Sequence, residues 1–138
     1  MALTLVIECP FEEKTATFTL IALCRTPKGK EIARFAKSWQ LVAVEERFGP
    51  FSYARFQLIG KDEILEVDSD PEKIRAQLLR YHQPEIQDFL RKLGRNHGFI
   101  PNQSWLGNLG FGEQPIKILQ LPPYLRSYLR RKKSVSSS

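Results

Sequence analysis

Sulfur and histidine are scarce in this chain, which holds two cysteines, two histidines and one methionine. Two cysteines cannot supply the multi-bridge framework with which small secreted domains offset a thin core. Cys9 and Cys24 each close an apolar run, which reads as two small buried hydrophobes of an intracellular protein. Cys9, Cys24, His82 and His97 are the soft metal ligands, and each like pair is fifteen residues apart, far from finger or ribbon spacing. No metal and no other cofactor is expected. Long apolar runs are missing too: nothing approaches the ~20 residues that cross a bilayer. Residues 1–8 carry no basic leader. The expected setting is the cytoplasm, with no membrane association.

Catalytic signatures are also absent. Residues 107–112 are glycine-rich but do not form a phosphate-binding turn between strand and helix, and no Lys-Ser/Thr follows. The acids gather in turns (Glu12 and Glu13, Asp62 and Glu63, Asp68 and Asp70) and in Glu45-Glu46, which reads as solvated periphery. Glu66 and Asp68 flank Val67 and would share one strand face, the most a divalent-metal nuclease could recruit. A Cys–His pair drawn from Cys9 or Cys24 with His82 or His97 would need the fold to bring them together. A non-enzymatic protein is expected.

What the chain does have is enough material for a core. Its 138 residues are 42% apolar, a length and composition that suit one domain folding without metals or bridges. A single domain is expected over residues 1–133, with residues 134–138 a frayed tail.

The first half reads as strands. Residues 3–7 form a short apolar run, and an edge strand there would be open to another chain. Residues 15–23 alternate at first, with Thr15, Thr17 and Thr19 against Ala16, Phe18 and Leu20. Residues 31–37, 39–44, 52–59 and 64–67 follow, separated by Pro27-Lys28-Gly29-Lys30, Gly49-Pro50 and Gly60-Lys61-Asp62. Short β-rich runs between turn signals predict an antiparallel meander. The pattern changes at Asp70-Pro71, a good N-cap followed by a good first helical residue. Ile74, Leu78 and Tyr81, then Ile86, Phe89, Leu90 and Leu93, fall at helical spacing, with Pro84 between the two sets and Gly94 placed to end the helix. The expected fold class is α+β: a mainly antiparallel sheet from residues 2–67, then a kinked helix or helix pair over 71–93 on one face. A Gly/aromatic loop over 94–115, a return strand over 116–121 and a short basic C-terminal helix over 124–133 complete it.

Charge is distributed unevenly. Residues 1–70 hold nine Lys and Arg against eleven Asp and Glu, a net of −2, while residues 71–138 hold twelve against four, a net of +8. Such a split points to an anionic partner for the second half. On a C-terminal helix Tyr124, Leu125, Tyr128 and Leu129 share one face, while Arg126, Arg130 and Lys133 share another. That basic face suits phosphates, because the arginine fork takes two oxygens and each neutralised phosphate releases counterions. Arg131 and Lys132 extend it, and Arg91, Lys92 and Arg95 at the end of the first helix would enlarge the surface. His97, Phe99 and Trp105, amid the amides of the 95–105 loop, would add stacking or polar contacts to unpaired bases if exposed.

The function expected from these features is a nucleic-acid-binding module that neutralises an RNA or DNA backbone, in the setting of an accessory subunit of a prokaryotic ribonucleoprotein. A protein-interaction adaptor docking the same basic helix on an acidic partner is the second reading. A small hydrolase or nuclease is the third.

Overall fold

A computed structural model describes residues 2–120 and Tyr124. It shows a seven-stranded antiparallel sheet with a long helix across it, an α+β fold. The strands are β1 (Thr4–Glu8), β2 (Phe11–Glu12), β3 (Thr17–Arg25), β4 (Glu31–Phe48), β5 (Phe51–Ile59), β6 (Ile64–Val67) and β7 (Gly112–Pro115); the helices are α1 (Pro71–His97) and the short α2 (Gln103–Leu106). The sheet runs β6-β5-β4-β3-β1-β7, with β2 paired to β3. β3 to β6 form the expected meander. β1 is interior, between β3 and β7, so the open edge anticipated at residues 3–7 is occupied. The reason is that β7 returns from more than a hundred residues away, in a register that sets Thr4 against Pro115 and Ile7 against Gly112.

Alternation decides which side chains meet the helix. In β3 the even-numbered Phe18, Leu20, Ala22 and Cys24 are buried, and across the register they line up with Leu5 and Ile7 of β1 and with Trp39 of β4. These join Leu58, Ile74, Leu78, Ile86, Leu90, Leu93, Trp105 and Leu106 in one core cluster. Each fully buried Leu or Ile contributes about 1.5–3 kcal/mol, so the apolar line of α1 is what holds helix to sheet.

β4 is one strand of 18 residues, where two were expected. Lys37 and Ser38 do not interrupt it: Lys37 sits opposite Leu20 and reaches Glu85 of α1 (3.8 Å), and Ser38 sits opposite Thr19 with their hydroxyls 3.2 Å apart. Beyond residue 43 the partners thin out. β3 pairs with β4 only through Gln40, and β6 pairs with β5 only from Phe56 onward. Residues 44–55 are therefore a two-stranded arm of five pairs, Val44 with Arg55 to Phe48 with Phe51, about 16 Å long at ~3.3 Å per residue. Gly49, with φ 56°, and Pro50 turn its tip.

α1 starts where expected. The Asp70 carboxylate accepts from the Glu72 amide at 3.1 Å, and Pro71 is the first helical residue. The helix then runs unbroken past Pro84 to His97, one helix rather than a pair. Pro84 is exposed, so water can satisfy the carbonyl that loses its donor. The buried line also differs from the expected stripe. It is Ile74, Leu78, His82, Ile86, Leu90 and Gly94 at steps of four residues, with the expected Leu93 buried beside it and Tyr81 on the exposed side. Gly94 is not the terminator. Gly98 ends the helix in the left-handed conformation (φ 78°, ψ 35°), and the Phe99 amide turns back to donate to the Gly94 carbonyl at 2.9 Å.

After α1 the chain is more regular than a loop. α2 interrupts the 94–115 stretch, and the return strand is β7 at 112–115 rather than 116–121, followed by an isolated bridge from Pro101 to Ile118. The anticipated basic helix over 124–133 and the tail over 134–138 lie outside the described residues, Tyr124 apart. No helix among the described residues is long and apolar enough to cross a membrane.

Candidate functional site

The segment after α1 folds back on the sheet edge through a chain of local bonds. Asn102 caps α2, its side-chain oxygen accepting from the Trp105 amide at 3.1 Å. Its own amide donates to the Lys117 carbonyl at 2.8 Å, and the Leu119 amide donates to the Ile100 carbonyl at 2.7 Å. Gln87 of α1 ties the segment down by donating to the Leu106 carbonyl at 2.8 Å. An open cleft of about 550 Å³ lies between α2 and β7, lined by Asn102, Ser104, Trp105, Asn108, Gln114, Pro115 and Lys117. Asn108 and Gln114 donate through their amide nitrogens to the carbonyls of Ser104 and Gly110. That leaves two amide oxygens as acceptors, the Asn102 nitrogen as a donor and Lys117 as a cation. Mixed amide donors and acceptors beside a cation can hold a polar ligand that carries negative charge.

The cations of this half are unevenly paired. All four of its acids are engaged: Glu72 with Arg75, Glu85 with His82 and Lys37, Asp88 with Arg91, and Glu113 with Arg25. Lys73 pairs with Asp68. Arg80, Lys92, Arg95 and Lys117 have no ion-pair partner among the described residues, and all four are exposed. Lys92 and Arg95 stand in the last two turns of α1, where the helix dipole also favours cations.

The expected site residues therefore separate. Arg91, Lys92, Arg95 and His97 come together at the C-terminal end of α1, with Arg91 bound to Asp88 at 3.0 Å. Trp105 is 7% exposed and Phe99 is half-buried against the core. Trp105 is thus an anchor of the fold that shows only a small part of its surface to the cleft, not an exposed stacking platform. Arg126, Arg130, Arg131, Lys132 and Lys133 lie outside the described residues. Gln114 and Lys117 belong to the cleft but carry no sequence signal of it, since β7 brings them there through long-range pairing.

A second polar cluster resembles acid–base machinery, but its histidine is buried and its carboxylate alone reaches solvent. His82 is 3% exposed. Trp39 Nε1–H donates to its Nε2 at 2.9 Å, and Glu85 Oε1 takes its Nδ1 at 2.7 Å. An Nε2 that accepts carries no proton, so the proton sits on Nδ1 and points at the carboxylate. Phe35, Trp39 and Tyr81 surround the ring at 5.0–6.0 Å between centroids. A general base needs one nitrogen free for substrate. Both are taken here, and neither by a cysteine.

The remaining candidates for chemistry are occupied as well. Glu66 accepts from Gln57 (2.6 Å) and Arg55 (3.2 Å); Asp68 accepts from the Asp70 amide (3.1 Å) and faces Lys73. The backbone bond from Asp70 holds the Asp68 carboxyl below its ordinary value. No three His, Cys, Asp or Glu groups could hold a metal ion among the described residues.

Both cysteines are buried and free. Burial pushes the Cys9 thiol up to about 11, against a smaller opposing pull from Arg75, and pushes Cys24 up to about 12. The ordinary value is 9.0. The folded state thus holds these protons more tightly than the unfolded chain. The contribution is complete below about pH 9 and is lost as pH climbs through the folded values. Urea midpoints recorded from about pH 8 to about pH 11 are expected to fall, and Cys24→Ala is expected to flatten that decline.

Searches of protein-family models, curated proteins and solved structures find no match to this chain.

Proposed function

We propose that this protein is a non-enzymatic nucleic-acid-binding module that holds an RNA or DNA backbone against the C-terminal end of α1 and the cleft beside β7. One observation carries this reading: every acid of the second half is engaged, while Arg80, Lys92, Arg95 and Lys117 are left without an ion-pair partner among the described residues. Cations kept free of local carboxylates are available to phosphates, and counterion release makes such contacts favourable at low salt. The sequence continues with Arg126, Arg130, Arg131, Lys132 and Lys133, five further positive charges close along the chain to Lys117. The amides of the cleft would meet base edges. Membership of a larger ribonucleoprotein assembly is compatible with a module of this size.

The test is fluorescence anisotropy with short single- and double-stranded RNA and DNA across a salt series. Binding is expected to weaken steeply with salt, with a log–log slope of about −0.7 to −0.9 per phosphate contacted. Charge reversal at Arg126, Arg130 and Arg131 should abolish it with the fold intact, and Lys92→Glu with Arg95→Glu should weaken it about tenfold or more. Failure of all four probes to bind at low salt overturns the reading and leaves an acidic protein as the partner to seek.

A further inference from the structure

The arm formed by residues 44–55 is unlike the rest of the sheet, because among the described residues both of its strands have an open edge. There β5 has no second strand partner over residues 51–55, and β4 has none from Val42 to Phe48. The backbone direction along β4 follows from one bond: the Leu41 amide donates away from β5, to the Ala16 carbonyl at 2.7 Å. With a period of two, Ala43, Glu45 and Arg47 also present N–H and C=O outward. Sheet proteins normally block such an edge with a proline, a bulge, a covering element or charges that a second strand cannot match. Residues 42–48 contain no proline, and their register with β5 is uninterrupted. The arm also keeps apolar surface in water: Phe48 and Phe51 are 69% and 74% exposed at its tip, and Phe48 stacks on Tyr53 at 6.3 Å.

We infer that β4 pairs antiparallel through this open edge with the same edge of a second copy of the chain, in the register that places Glu45 opposite Arg47. Outward-facing residues must meet outward-facing residues, so only registers that pair odd positions with odd positions form hydrogen bonds. Among these, a two-fold axis at Glu45 opposes two carboxylates, and one at Arg47 opposes two guanidinium groups; like charges directly opposite are destabilising. An axis at Glu46 gives two Glu45–Arg47 pairs and sets Val44 against Phe48 of the copy, covering part of the exposed tip. It also sets Glu46 against its counterpart. Each Glu46 is already bridged by its own Arg55 at 2.7 Å and accepts from Tyr53 at 2.6 Å, so its charge is covered. The charges thus exclude the neighbouring registers and permit this one.

Sedimentation equilibrium of the full chain, freed of nucleic acid, tests the pairing. The unaltered protein is expected to dimerise, and Arg47→Glu or Glu45→Arg alone should raise the dimer dissociation constant about tenfold or more. The double variant Glu45→Arg/Arg47→Glu restores the opposite charges and should recover the dimer. Register is read separately. Under oxidation, Glu46→Cys should cross-link to itself, since non-hydrogen-bonded antiparallel partners stand about 4.5 Å apart. Ala43→Cys, which would face Gly49, should not. A monomer at every concentration into the hundreds of micromolar overturns the proposal, as do single reversals without effect or a double variant that stays monomeric.

Discussion

Replacing Gly94 by alanine is expected to destabilise the protein by about 2–3 kcal/mol. Two effects of opposite sign compete at this position. Alanine is the better helix former, by about 1 kcal/mol in a helix interior. A Cβ on residue 94, however, would collide with the Phe99 carbonyl oxygen and lie 3.2 Å from the Pro101 ring. The first contact is with backbone, which no rotamer change relieves. The Phe99 amide is also bonded to the Gly94 carbonyl, so moving the 99–101 segment away costs that bond as well. Overpacking should therefore win over propensity. Urea denaturation would show it as a lower midpoint at unchanged slope. A stabilised Gly94→Ala variant would mean that the return after α1 is not held this close. Because the same segment leads into the cleft, the variant should also weaken the nucleic-acid binding proposed above, whereas Gly110→Ala, with open space around its Cβ position, should leave stability and that proposed binding unchanged.

His82→Ala is expected to cost about 3–5 kcal/mol. The substitution removes a fully enclosed ring, which leaves a cavity, and strands the Trp39 indole N–H, which then has no acceptor. The second contribution separates from the first by a cycle. Trp39→Phe alone leaves His82 Nε2 without its donor, and His82→Phe alone leaves the indole without its acceptor. The double variant Trp39→Phe/His82→Phe removes both polar partners. If the hydrogen bond matters as argued, the double variant should be less destabilised than the sum of the two singles, by about 1–2 kcal/mol. Additive values would assign the whole effect to packing.

Much of the fold could be read from residue order, and the exceptions share a cause. Alternation at Thr17, Phe18, Thr19 and Leu20 identifies β3, and Asp70-Pro71 marks the start of α1, because both signals are local. The strand content of the first half and the helix after it follow. What is not local is missed. His82 is polar, so an apolar count passes over it and takes Tyr81 instead; its burial is tolerable because Glu85 takes Nδ1 and the indole of Trp39, from a strand 43 positions earlier, donates to Nε2. Gly94 looks like a terminator because glycine usually is one, and only the approach of Phe99 shows another reason for it. β7, with the sequence Gly-Glu-Gln-Pro, has no β-branched or aromatic residue and exists because β1 offers it a partner. For the site, the cations of α1 were legible as a group. Their freedom from carboxylates was not, since pairing depends on i, i+3 neighbours such as Asp88 and Glu72 and on Lys37 from the sheet.

The pairing of β1 with β7 has a consequence for how the chain reaches this structure. β3 to β6 are joined by short turns, so each hairpin closes a small loop and can form early. β1 and β7 must bring residues 4–7 and 112–115 together, and closing so long a loop is entropically slow until most of the intervening chain is in place. Closing the seam between the first strand and the last is then expected to be a late step of folding. Gln114 and Pro115 of the cleft lie on that seam. A ligand gripping them would hold that seam shut, so occupancy of the cleft and closure of the sheet are thermodynamically linked.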